Sequence, residues 1–272
     1  MDTTAAIERT GVTRQPATSV SRSPLVLWDL DLTLLDPAGF GARMIAPALA
    51  ELLGREPILG ASFAGRTDRA ILTDLLARNG IGQPRDELVV ALLDAVAERC
   101  EAHGQDLLDA GGGALPGAHD AVAALSAVGL HQGIVTGNMR RTALLKLRLC
   151  GFDGLPDPEL GAFGDHHVDR ADLVRGAVAT ARGRGLDVSA TSAVVVGDHV
   201  HDVRGALDAG ARCVAIATGR VSADELYAAG AHSVLPDLTD PEALLAALLA
   251  LHEPLYKPAR DPVHPSPAPD PA

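Results

Sequence analysis

From about residue 115 onward, short β-branched runs take turns with segments whose apolar residues recur every three and four positions, and this alternation constrains the fold more than any other feature. It predicts helix 118–128, strand 131–136, helix 139–150, helix 170–184, strand 192–197, helix 201–209, strand 212–217, helix 223–229, strand 232–235 and helix 240–250. Helices alternating with strands make crossover connections, so the strands should lie parallel with helices on both faces: an α/β, doubly wound parallel sheet. One more strand, 24–29, stands far upstream. The stretch between reads as helix, in FGARMIAPALAELLG, TDRAILTDLLARNG and RDELVVALLDAVAERCEAHG, with Pro47 expected to kink or divide the first. Residues 37–114 are therefore expected to be an all-α insertion in an α/β unit made of 24–36 and 115–251. Such an insertion would sit over the carboxyl ends of the strands, where open parallel sheets bind ligands.

Composition bounds the rest. Aromatics are 3% and hydrophobic residues 47%, so the core must be built from Ala, Val and Leu, which suits helices laid on a sheet. The formal charge of −12 repels polyanions and argues against nucleic acid or anionic membrane as a partner. Cys100, Cys150 and Cys213 are widely spaced with no CxxC, which is expected of reduced, buried thiols in a cytoplasmic protein. No stretch is apolar for long enough to span a membrane. Residues 1–23 read as a disordered leader without a signal-peptide core. Residues 252–272 carry seven prolines and read as an extended tail, a proline-rich ligand being the alternative use.

The chemistry gathers at strand ends. LVLW runs into Asp29 and Asp31, GIV into Thr136, Gly137 and Asn138, and AVVV into Gly197, Asp198 and then Asp202. Parallel strands open at one edge, so these groups should converge. Four carboxylates in one crevice repel one another, and a divalent cation with a taste for hard oxygen ligands, Mg²⁺, would relieve that and draw in a phosphate oxygen. One of Asp29 and Asp31 can act as nucleophile while the other trades protons. The Thr136 hydroxyl and the amides of Gly137 and Asn138 would form an anion cradle, although Thr136 and Asn138 could equally cap helix 139–150. Asp202 could simply be a helix-start charge. His199 and His201 read as ordinary loop residues, and Asp165 and Asp169 as loop carboxylates, with Asp169 a partner for Arg170.

DLDLT, a strand-terminal TGN and VVVGDHVHD, in this order and with helices inserted after the first, resemble the motifs of the haloacid dehalogenase superfamily over residues 24–250, specifically its phosphoglycolate phosphatase-like branch with a helical cap. The resemblance implies a Rossmann-like core and a Mg²⁺-dependent phosphatase acting on a small phosphorylated metabolite. Asp29 would attack phosphorus and form an aspartyl phosphate. Asp31 would protonate the leaving alcohol and later activate water, with Thr33 and Thr136 holding phosphate. Asp198, the Asp29 carboxylate and the Asp31 backbone carbonyl would bind Mg²⁺, and Asp202 would support the metal or the basic residue. That basic residue is Arg170 or Lys146. Arg170 is favoured because a loop entering a helix at the sheet edge reaches the crevice more readily than a position two to three turns down a helix. In SFAGRTDRAI, Thr67 is expected to be an N-cap and Arg66 a specificity residue. Alternatives are hexose-phosphate mutase chemistry and a non-catalytic scaffold. A dehalogenase would lack Asp31, and a phosphonate hydrolase would need a cap lysine that residues 37–115 do not contain.

Overall fold

The computed structural model describes residues 24–60 and 63–251, so the expected leader and proline-rich tail lie outside the described residues. The first strand, β1 (Leu25–Trp28), is followed by a two-residue strand β2 (Leu35–Asp36) and four helices: α1 (Phe40–Leu53), α2 (Asp68–Arg78), α3 (Asp86–Ala102) and α4 (Gln105–Asp109). The chain then returns through β3 (Gly113–Ala114), α5 (Ala118–Ala127), β4 (His131–Thr136), α6 (Arg140–Leu149), β5 (Ala162–Phe163) and α7 (Arg170–Gly183). It ends with β6 (Ala193–Gly197), α8 (Val200–Asp208), β7 (Arg212–Ile216), α9 (Ala223–Ala228), β8 (Ser233–Leu235) and α10 (Pro241–Ala250).

Six strands form one sheet in the order β5-β4-β1-β6-β7-β8, every pairing parallel. The chain builds outward from β1 to β4 and β5, then crosses back to β6, so the topological switch lies at β1 and its carboxyl end is the natural ligand crevice. β1 is wholly buried because both of its faces are covered. Leu25 and Leu27 pack with Leu173, Val174 and Ala177 of α7 and Val203 of α8. Val26 and Trp28 share the opposite core with Val122 of α5, Ala143 of α6 and Leu244 of α10. The one polar atom that Trp28 brings in is satisfied, its Nε1–H donating to Gln132 Oε1 at 2.9 Å while Gln132 Nε2 donates to the Val122 carbonyl at 3.0 Å.

The helical block leaves and re-enters through the antiparallel pair β2–β3. Pro47 does not divide α1: it lies on the exposed side of an unbroken helix whose other face buries Phe40, Met44, Ile45, Ala48 and Leu49. The segment before α2 lies directly on the carboxyl ends of β4 and β5. There the Asp68 N–H donates to the Gly137 carbonyl at 2.7 Å and the Arg69 N–H to the Gly164 carbonyl at 3.0 Å. Glycine is required at both places, since a Cβ on Gly137 would overlap the Arg66 carbonyl and one on Gly164 the Gly137 carbonyl. Among the described residues no helix is long and apolar enough to cross a membrane.

Candidate active site

The ladder of β1 continues one residue past the strand, with the Asp29 N–H donating to the Val196 carbonyl at 2.9 Å, and this fixes Asp29 at the sheet edge. The chain then turns. Leu30 is buried, its carbonyl accepts the N–H groups of Thr33, Leu34 and Leu35, and Leu32 takes a left-handed φ of 66°. For a leucine that conformation is strained. It is held by Thr218, whose hydroxyl donates to the Leu32 carbonyl at 2.6 Å, and by the Leu32 N–H donating to the Leu35 carbonyl at 2.7 Å. The turn sends Asp29 and Asp31 into different surroundings.

Asp29 joins Asp198 and Asp202 in a buried acidic cluster whose carboxylate oxygens lie within 4.8 Å of one another. Asp198 follows β6 directly. Asp202 stands in the first turn of α8, where its Oδ2 accepts the His199 N–H at 3.1 Å and completes the helix cap. Asp169 caps α7, accepting the Ala171 N–H at 2.9 Å, and so Arg170 becomes the first helical residue and reaches into the crevice. Its Nη1 donates to Asp29 Oδ1 at 3.2 Å and makes a close ion pair with Asp202 Oδ1, while Nε donates to the Gly65 carbonyl of the insertion at 3.0 Å. Burial opposes the Arg170 charge, but Asp202 and Asp29 outweigh it and keep the guanidinium protonated. One cation cannot balance three carboxylates. Burial first, and Asp202 next, raise both Asp29 and Asp198 far above the ordinary carboxylate range. A cluster of hard oxygen donors with uncompensated negative charge fits a divalent cation such as Mg²⁺.

Asp31 faces another cation. Its side chain is 34% exposed, and the ammonium of Lys146, 1% exposed, donates to Asp31 Oδ1 at 2.8 Å and Oδ2 at 2.7 Å. Lys146 also donates to Asn138 Oδ1 at 2.7 Å, and Asn138 Nδ2 in turn donates to the Thr136 hydroxyl at 2.9 Å.

The structure thus brings together Asp29, Arg170, Asp198 and Asp202, and beside them Asp31, Lys146, Asn138 and Thr136. The other expected site residues have partners of their own within the chain. Lys146 does reach the crevice, because its stem runs up the inner side of α6, but it meets Asp31 and not the Asp29 nucleophile. Thr33 is fully buried and its hydroxyl donates to Asp198 Oδ1 at 3.5 Å, so it adjoins the acidic cluster. Arg66 turns to Asp74, 3.4 Å away, and to the Ala70 carbonyl at 3.1 Å. The Asn138 N–H is directed at Thr136 Oγ1 at 3.3 Å, so that amide is occupied within the chain, although Gly137 and Asn138 do lie at the strand end. The Asp31 side chain lies outside the acidic cluster, which leaves only the expected backbone carbonyl as its route to a metal. Asp169 serves α7 as a cap and does not pair with Arg170.

Asp68 was missed. Its Oδ2 accepts the Met139 N–H at 2.7 Å and so caps α6 from the insertion, where burial pushes its carboxyl up to about 6. The one signal available was its place after Thr67, the N-cap of α2, and that spacing says nothing of α6.

The haloacid dehalogenase-like hydrolase family model matches residues 26–207. Among solved structures, the chain resembles a putative beta-phosphoglucomutase from Bacteroides vulgatus at 19% identity and TM-score 0.63, over 86% of this chain and 92% of that one. It also resembles CbbY from Rhodobacter sphaeroides in complex with phosphate, at 24% identity and TM-score 0.62, over 83% and 99%. A third likeness is to a predicted phosphatase from Clostridium acetobutylicum, at 19% identity and TM-score 0.61, over 85% and 100%. Comparison with curated proteins gave no significant match.

Proposed function

This chain belongs to the haloacid dehalogenase-like hydrolase family, and on that premise we propose that it is a Mg²⁺-dependent phosphatase acting on a small organic phosphomonoester through a covalent phosphate on Asp29. The observation that carries the reading is the division of labour at the end of β1: Asp29 belongs to the acidic cluster and pairs with Arg170, while Asp31 stands apart with its own cation and access to solvent.

In the first step an Asp29 oxygen bonds to phosphorus as the ester P–O bond breaks. The electron pair goes to the leaving oxygen, which takes the proton from Asp31. Arg170 would hold both the Asp29 carboxylate and a phosphate oxygen, with Thr136 supplying a hydroxyl to another. In the second step Asp31, now a carboxylate, removes a proton from water as that water attacks phosphorus, and the pair in the P–O bond returns to Asp29. Asp29 and Asp198 would hold the magnesium ion, which when bound supplies positive charge that offsets the cluster and draws in a phosphate oxygen. The insertion on the strand ends supports exclusion of bulk water from these steps.

The substrate class expected from the resemblance, to the phosphoglycolate phosphatase-like branch, is a small organic phosphomonoester. The likeness to a putative beta-phosphoglucomutase favours one other reading, transfer of the Asp29 phosphate to a second hydroxyl of the sugar. A cytoplasmic setting is supported by the free, buried Cys100, Cys150 and Cys213. The test is inorganic phosphate release from a panel of phosphomonoesters with and without Mg²⁺. Release that depends on Mg²⁺ is expected. Isomerised sugar phosphate without net release would favour the mutase, and no turnover of any ester would overturn both readings.

A further inference from the structure

The chain carries 23 basic residues, and only two, Lys146 and Lys257, are lysines. Elsewhere it uses arginine for its ion pairs, including the one on Asp29. Among the described residues Lys146 is also the least exposed cation, 1% exposed in the middle of α6 between Leu145 and Leu147, which are buried as well. A buried ammonium is expensive unless every N–H finds an acceptor. Here the ammonium sits against both oxygens of Asp31 and against the Asn138 amide oxygen. Each of these contacts is to an oxygen of the chain itself. The Asn138 amide is itself fixed by Thr136, so a continuous polar chain runs from the carboxyl end of β4 to the carboxylate beside the nucleophile.

We propose that Lys146 is a positioning residue for the proton-transferring carboxylate: together with Asn138 it holds Asp31 where it can serve the leaving-group oxygen, and it does not act on the phosphoryl group. This rests on the phosphatase reading above. The geometry suits the role. Asp31 directly precedes the strained Leu32 and is partly exposed, so nothing but Lys146 ties its carboxylate among the described contacts. A point ammonium on a long stem can stay on one oxygen while the other delivers its proton, whereas a guanidinium fork would engage both in a fixed plane.

The consequence is selective for the leaving group. When the P–O bond of an alkyl phosphate breaks, the departing alkoxide needs the proton of Asp31. When that of p-nitrophenyl phosphate breaks, nitrophenolate leaves without one. kcat/KM reads events through the first irreversible step, so it isolates this difference from the later attack of water. The experiment compares wild type, Lys146→Met and Lys146→Arg on 2-phosphoglycolate or another alkyl phosphate that the wild type hydrolyses, and on p-nitrophenyl phosphate. The Met variant should lose about 100-fold in kcat/KM on the alkyl ester and about tenfold less than that on the aryl ester. The Arg variant should recover part of the alkyl loss.

If Lys146→Met does not fold by circular dichroism, Lys146→Gln carries the same comparison, since it keeps a donor but removes the charge. Equal losses on the two esters would overturn the proposal by placing Lys146 on phosphate or in the framework alone. No loss on either would overturn it too. A wild type inactive on every ester would instead remove the phosphatase reading, and this role with it.

Discussion

Two residues apart on the chain, Asp29 and Asp31 occupy compartments built on different plans. The Asp29 compartment is dry and overcrowded with negative charge, and its cation is an arginine fork shared with Asp202. The Asp31 compartment leaves its carboxylate partly exposed and paired with one buried lysine. The contrast teaches what each task demands. A nucleophile must be aimed along one line and kept ionised: the packed strand end fixes the aim, and the charge of Arg170 favours the carboxylate against the burial that opposes it. A proton carrier must reach both the leaving group and, later, water, so it needs a tether and an open side.

The sharpest way to break this contrast is Asp29→Asn, which keeps shape and removes the attacking oxygen anion. Turnover should fall by at least about 10⁴-fold with the circular dichroism spectrum unchanged. Wild-type-like rates would end the nucleophile assignment.

Next comes Arg170. Replacement by Ala should cost about 10³-fold in kcat/KM on alkyl and aryl esters alike, the opposite of the leaving-group selectivity expected at Lys146. It should also lower stability by roughly 3 kcal/mol without metal, because Asp29 and Asp202 are left buried and unpaired. A loss confined to alkyl esters would merge the two compartments into one.

A smaller effect concerns the acidic cluster itself. Added Mg²⁺ should raise the melting temperature by about 5 °C, and removal by chelation should reverse this. Asp198→Asn should raise the metal-free melting temperature, by easing repulsion, and abolish the response. If the variant still responds to Mg²⁺, the ion sits elsewhere.

The smallest expected effect lies where the insertion meets α6. The Asp68 carboxyl is raised from 3.8 to about 6, by burial first, against the Met139 N–H that favours its charge. The folded state then holds the proton more tightly than the unfolded state, so the contribution of Asp68 to stability is full below about 4 and is lost as pH rises to about 6. Asp68→Asn, which can still accept from Met139, should gain stability relative to wild type across that window, as read by melting temperature. A difference independent of pH would show that Asp68 is not protonated in the fold.

The alternation of helix and strand was enough to give the α/β class, because a period of two against 3.6 survives in any context. It missed β2, β3 and β5, which are two residues each and too short to carry a period. Pro47 leaves α1 undivided for a related reason: a proline on the solvent side of a helix costs a hydrogen bond without breaking the packing of the other side. Among site residues, Asp29, Asp198 and Arg170 could be read from strand-end position and a helix start. The partners of Thr33 and Arg66, Asp198 and Asp74, could not be read, since they are chosen by how the chain turns afterwards.

By itself the sequence determined which residues stand at the strand ends and that several of them are acids, since both follow from local period and the parallel arrangement it demands. Only the tertiary structure decided how these residues are shared out: Arg170 to Asp29 and Asp202, Lys146 to Asp31. The reason is physical. Which cation meets which carboxylate depends on the left-handed turn at Leu32, the Asp169 cap that aims Arg170 and the reach of a lysine stem from the inner face of α6, and each of these is a distance in space between residues far apart in the chain.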